Sequence, residues 1–187
     1  MKKSLLSSLL AASLITVLSA CAPTPAASGA KAQADANGNY VINGSFEETD
    51  FTGWTVTNID NVTEELDIYE RDTDCYEGLK SLHFYSGTNN VNFTAEQTIS
   101  GLEEGSYKLT GHIQGEAAGD ESPDVYFYAV VDGKQVKADA SLNGYVNWYT
   151  AELEGLNVTD GEITIGVNVT TAPGGWGTID DITLVKE

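Results

Sequence analysis

The side chains best suited to recognising a neutral, hydroxyl-rich ligand fall on alternate positions of four runs: His112 and Gln114, Tyr126 and Tyr128, Trp148 and Thr150, and Asn168. Pyranose rings present flat C–H patches that stack on aromatic faces, while their hydroxyls need amide, imidazole, guanidinium or carboxylate partners. A row mixing Tyr, Trp, His, Gln and Asn supplies both, so these residues are expected to form one platform on the open face of a sheet. The alternative for Tyr126 and Tyr128 is a place beneath a loop. Trp176 follows Pro173-Gly174-Gly175, a segment able to lift an indole from the sheet edge, and is expected to be a second stacking residue. Arg71, the one arginine in the chain, either clamps hydroxyls nearby or pairs with one of many acids. Trp54, directly after Gly53, is expected in the core.

The elements that must position these groups are strands. Tyr107-Lys108-Leu109-Thr110-Gly111-His112-Ile113-Gln114 alternates, as do Val125 to Val131 and Ile163 to Val169. Leu109, Gly111 and Ile113, then Phe127, Ala129 and Val131, then Ile165, Val167 and Val169 form the sets expected to face a core between sheets. Turn signals divide the runs at Leu102-Glu103-Glu104-Gly105, Asp132-Gly133-Lys134, Leu142-Asn143-Gly144 and Asp160-Gly161. Short strands, Gly/Asn/Asp turns and no helical stripe predict an all-β antiparallel sandwich or barrel.

Composition narrows the partners. With 28 acidic residues against 9 basic ones the formal net charge is −19, which opposes nucleic acid and anionic polymers and favours neutral ligands or calcium. Residues 1–20 read as a secretory signal: Lys2 and Lys3 precede an apolar stretch from Leu9 to Leu18 that is short for a bilayer span. Leu18-Ser19-Ala20-Cys21 resembles the lipobox of bacterial lipoproteins, which implies cleavage before Cys21 and lipid on its thiol. Residues 21–37, rich in Ala, Pro, Ser and Gly, read as a flexible lipidated tether, and residues 38–187 as one folded domain. The implied location is the outer face of a bacterial membrane. Cys75 is the remaining cysteine and is expected to be a small buried side chain. The Asn-x-Ser/Thr sequences at Asn43, Asn61, Asn92, Asn157 and Asn168 are read as strand and turn composition.

A family resemblance runs through residues 38–187. Asn43-Gly44-Ser45-Phe46-Glu47-Glu48 at the start, Gly78 to Ser86, Glu104 to Leu109, His112-Ile113-Gln114-Gly115, and Trp176-Gly177-Thr178-Ile179-Asp180-Asp181 at the end resemble carbohydrate-binding module family 61. That family accompanies endo-β-1,4-galactanases and binds β-1,4-galactan. The resemblance implies an antiparallel jelly-roll β-sandwich, galactose-binding-domain-like, that binds sugar without cleaving it. It also implies a structural calcium joining the first strand, the turn near Gly78 and the last strand, with Glu47 and one of Asp180 or Asp181 as side-chain ligands and carbonyls near Glu77 and Lys80 completing the shell.

Two other functions compete. Glu65-Leu66-Asp67-Ile68-Tyr69-Glu70 is similar to the E-x-D-x-x-E pattern of family 16 glycoside hydrolases, and on a strand with one bulge Glu65, Asp67 and Glu70 would share a face. Arg71-Asp72-Thr73-Asp74 does not continue that pattern. A surface lipoprotein recognising a protein partner is the third reading. The expectation carried forward is a monomeric, lipid-anchored, non-catalytic module for a neutral polysaccharide such as β-galactan, with ligand lying across Tyr126, Tyr128, Trp148, His112, Gln114 and Asn168 and with Trp176 and Arg71 at the edge.

Overall fold

The alternating runs become ten strands in the computed structural model, which describes residues 31–187. The signal segment 1–20, Cys21 and residues 22–30 lie outside the described residues. The strands are β1 (Thr55–Asn58), β2 (Glu65–Glu70), β3 (Lys80–Tyr85), β4 (Val91–Ser100), β5 (Gly105–Glu116), β6 (Asp124–Val131), β7 (Lys134–Asp139), β8 (Gly144–Val158), β9 (Glu162–Thr171) and β10 (Trp176–Lys186). They form two five-stranded sheets: a front sheet in the order β2-β3-β10-β5-β8 and a back sheet in the order β1-β4-β9-β6-β7. Every neighbouring pair is antiparallel. The expected antiparallel sandwich is therefore the observed one.

Period-2 alternation delivers one side chain in two to the space between the sheets. Leu109 and Ile113 come from the front sheet, Phe127, Ala129, Ile165, Val167 and Val169 from the back, and all are buried as expected. Val131, at the end of β6, is only partly covered. At Gly111 the two layers approach closely: a Cβ there would lie 2.3 Å from the Phe127 ring. Phe84 of β3 and Phe93 of β4 meet across the core with centroids 5.4 Å apart. Each such large side chain, taken fully out of water, contributes about 1.5–3 kcal/mol.

The two ends of the domain are neighbours. Tyr40 N donates to Leu184 O, Leu184 N to Asn39 Oδ1 and Ile182 N to Gly44 O, so the segment from Asn39 to Gly44 runs beside the second half of β10. Gly44 has no room for a side chain, since its Cβ would sit 2.0 Å from Ile182 O. Phe46 then drops into the core against Trp54, which is buried as its sequence context suggested. Contact with the sandwich begins before Gly38, inside the stretch read as tether: Ala32 N donates to Gly101 O, and Lys31 pairs with Glu103.

A bulge resolves how two consecutive aspartates fit in a central strand. The β10–β5 register shifts between Asp180 and Thr183, and Asp181 takes φ of 45°. One extra residue on the bulged strand restores the phase. Ile179, Ile182 and Leu184 therefore all reach the core, and neither carboxylate does.

Candidate functional site

The residues expected to make one platform are divided between the two outer faces of the sandwich. His112, Gln114, Trp148, Thr150 and Trp176 belong to the front sheet, but Tyr126, Tyr128 and Asn168 belong to the back sheet. Alternation within a strand fixes which face is buried; it does not say which sheet the strand joins. Here β5 and β6 follow one another in sequence but belong to opposite sheets. On the back face, Tyr128 is buried with its hydroxyl donating to Glu96 Oε1 at 2.6 Å, and burial, with that bond, raises its pKa. Asn168 gives its amide to Asp124 O, and Tyr126 lies under the Lys137 ammonium, 4.5 Å from its centroid. These three groups are committed to the protein.

On the front face a loop from Arg71 to Leu79 folds back over the strands and covers part of the expected platform. Tyr76 stacks on His112 at 3.6 Å and 9°, leaving the imidazole buried with its pKa lowered by desolvation. Gln114 is fully buried: its amide donates to Asp74 O and Thr178 Oγ1, and its carbonyl accepts from Val146 N. Both residues hold the loop and β8 and are not open to ligand. Asp180 does the same job from β10, accepting from Tyr76 N at 2.8 Å, Glu77 N at 3.1 Å and Asp181 N at 2.7 Å. Burial pushes its carboxyl up to about 7 against the pull of those three donors. Cys75, in the same loop, is half-buried with its thiol raised to about 11, chiefly by burial.

What stays open is a row at the far end of this face. Pairing places Glu65, Tyr85, Trp176 and Glu116 side by side on β2, β3, β10 and β5, with Tyr145 closing the row from β8, 6.4 Å from Trp176. Tyr145 is 56% exposed and Tyr85 36%, values high enough for rings to be available to a ligand. One wall is built by Tyr69, which stacks on His83 at 4.5 Å, and by Arg71 lying over the outer face of Tyr69. Asp67 Oδ1 meets His83 Nδ1 at 3.1 Å. On the other side of the covering loop, exposed Tyr76 meets the half-buried Trp148 edge-on at 5.5 Å. Of the expected residues, Trp176, Arg71 and Trp148 thus share this face. Tyr69, Tyr76, Tyr85, Tyr145 and His83 were missed. The alternation of Tyr69 with Ile68, and of His83 and Tyr85 with Leu82 and Phe84, was the available signal for three of them.

The hydrolase-like triplet does not assemble. The β2–β3 register runs unbroken from Glu65↔Tyr85 to Glu70↔Lys80, with no bulge. Glu65 and Asp67 therefore share the outer face, while Glu70 falls on the opposite phase.

The three segments expected to share a calcium do meet. Glu47 Oε1 accepts from Leu79 N at 2.7 Å and Lys80 N at 3.0 Å, and Gly78 leaves the room that a Cβ, 2.1 Å from that oxygen, would take. Asp180 does not fit as a ligand, because amide donors surround its oxygens. Glu47 Oε2 and both Asp181 oxygens carry no hydrogen bond among the described residues, although Asp181 Oδ2 lies 3.7 Å from His112 Nε2, and Asp181 and Glu77, but not Glu47, line one cavity of about 410 Å³. Among the described residues no group of three or more His, Cys, Asp or Glu side chains surrounds one point. A calcium held by Glu47 and Asp181 would need several backbone carbonyls to complete its oxygen shell.

No protein-family model matches the chain, and no curated protein sequence matches it. Solved structures do. A family 61 carbohydrate-binding module in complex with β-1,4-galactotriose superposes with a TM-score of 0.70 at 23% identity, over 80% of this chain and 99% of the other. The C-terminal family 22 carbohydrate-binding module of Clostridium thermocellum Xyn10B gives 0.51 at 17% identity, over 81% and 96%. The family 22 xylan-binding domain of Paenibacillus barcinonensis Xyn10C gives 0.50 at 16%, over 76% and 90%. The chain has the β-sandwich fold of these modules, and the resemblance to family 61 holds at the level of fold.

Proposed function

We propose that this chain is a non-catalytic carbohydrate-binding protein that takes a neutral polysaccharide, β-1,4-galactan foremost, along the open row of the front sheet. The observation that carries this reading is the exposed rings Tyr85 and Tyr145 with the half-buried Trp176 between them in one transverse line, bordered by Glu65, Asp67, Arg71, His83 and Glu116. Rings supply stacking area for sugar C–H faces, and the bordering groups supply hydroxyl partners. The carboxylates disfavour uronates and other anionic sugars. Titration of the chain with β-1,4-galactotriose and with trigalacturonate tests this: the neutral sugar should bind and the anionic one should not. Absence of binding to galactotriose and to every neutral glycan on an array would overturn it. Tyr126→Ala, on the back sheet, is expected to leave the affinity within about twofold of the parent, because no interface contact is lost. A tenfold loss in the same titration would move the site to the other face.

The same reading places calcium between Glu47 and Asp181, where it would fasten the ends of the sandwich rather than touch sugar. Removing it with a chelator is expected to lower the melting temperature by roughly 5–10 °C, since a ligand at about 100 times its Kd contributes about 2.7 kcal/mol. Added calcium should restore the melt, and an unchanged melt in chelator would remove the ion from the account. Lipid attachment at Cys21 would hold the domain at the outer membrane face, and mass spectrometry of the membrane fraction reads it directly.

A further inference from the structure

We propose that Asp74 is the positioning residue of the front face: its single carboxylate fixes the two walls of the open row relative to each other. The inference rests on the carbohydrate-binding reading for its consequence, but not for its geometry. Oδ2 accepts from Tyr69 Oη at 3.3 Å and Arg71 Nη1 at 3.3 Å, which belong to one wall. Oδ1 accepts from Tyr145 Oη at 2.9 Å, on the other wall, and from Thr73 Oγ1 at 2.8 Å. The residue itself is pinned to the sheet through its carbonyl, which accepts from Thr178 Oγ1 at 2.9 Å, Gln114 Nε2 at 3.3 Å and Ser81 Oγ at 3.5 Å. Those three donors lie on β10, β5 and β3, so the carboxylate stands over the middle of the sheet.

The Tyr145 wall has little else to hold it. Tyr145 sits where the β5–β8 register breaks, between Gly144 with φ of 100° and Val146 with φ of 55°. It is 56% exposed, so the hydroxyl bond to Asp74 and the tilted Trp176 ring 6.4 Å away set its orientation. The other wall is held independently, since Tyr69 stacks on His83 and β2 pairs along its length with β3, so Asp74 ties a loose wall to a fixed one. Asp74 is only 7% exposed, so it acts through these side chains and does not meet the ligand itself. Stacking demands a ring held in advance, because ordering it on binding subtracts from affinity.

The test uses the full chain with Tyr145→Phe, Asp74→Ala and the double variant. Tyr145→Phe keeps the ring and removes only the bond to Oδ1. Galactotriose affinity is expected to fall about fivefold in Tyr145→Phe and about twentyfold in Asp74→Ala, with the double variant no weaker than Asp74→Ala, since two partners in one bond are not additive. Amide exchange over residues 144–148, read without ligand, should rise at least tenfold in Tyr145→Phe while the melting temperature stays within about 2 °C. Unchanged exchange and unchanged affinity in Tyr145→Phe would overturn the proposal, as would additive losses in the double variant. If the parent binds no galactotriose, the functional reading fails by itself, and exchange alone decides whether Asp74 holds Tyr145.

Discussion

Replacing Trp176 with alanine is expected to weaken galactotriose binding by roughly 30- to 150-fold, the equivalent of about 2–3 kcal/mol for a central aromatic contact. The size follows from position. Trp176 stands between Tyr85 and Tyr145 in the open row, so its ring is the one a sugar must cover whichever neighbour it also touches. Its side chain points away from the core, because Gly177 and Ile179 take the inward phase and are buried. The fold should therefore lose only about 1 kcal/mol, a melting shift of about 2–4 °C. Calorimetric titration and a thermal melt on one sample separate the two effects. Affinity within threefold of the parent would show that the row is not where sugar binds.

The same strand shows what could be read from sequence and what could not. The fold followed from alternation, because Leu109, Ile113, Ile165 and Val167 have one phase available in an antiparallel strand, and turn residues marked where each strand stops. Trp176 reaches the outer face by the same alternation, with Gly177 and Ile179 facing inward, and not by a loop lifting it from a sheet edge, since β10 is the central strand of the front sheet. The platform was misassembled because sheet membership is a long-range property: Tyr126 pairs with Asn168 on the back sheet, while His112 pairs with Thr150 on the front. The loop over His112 and Gln114 was invisible for a similar reason. Arg71 to Leu79 carries little periodicity, and its place is set by hydrogen bonds to residues about a hundred positions away, such as Asp180 to Tyr76 N. Polar residues chosen as ligand contacts turned out to be the groups that hold that loop, since a buried polar side chain needs partners as much as a sugar does.

Asp180→Ala is the substitution expected to cost most in stability among the polar positions. Three backbone N–H groups, of Tyr76, Glu77 and Asp181, would lose their acceptor at a position where Asp180 itself is 0% exposed. An orphaned buried donor costs about 1–3 kcal/mol, so three set an upper bound near 9 kcal/mol. Two effects lower it. The charge is costly to bury, as the carboxyl raised to about 7 indicates, and part of that cost is relieved on truncation. The loop can also lift and hydrate the donors of Tyr76 and Glu77. A net loss of about 3–5 kcal/mol remains, a fall of roughly 10 °C or more in melting temperature. Sugar affinity should fall with it, because the loop that lifts carries Asp74 and Arg71 away from Tyr145. Comparison with Asp181→Ala separates this role from calcium: the Asp181 variant should lose its chelator response, whereas the Asp180 deficit should persist in chelator. A melting temperature of Asp180→Ala within about 2 °C of the parent would show that the loop is held by Gln114, Thr178 and Glu47 without it.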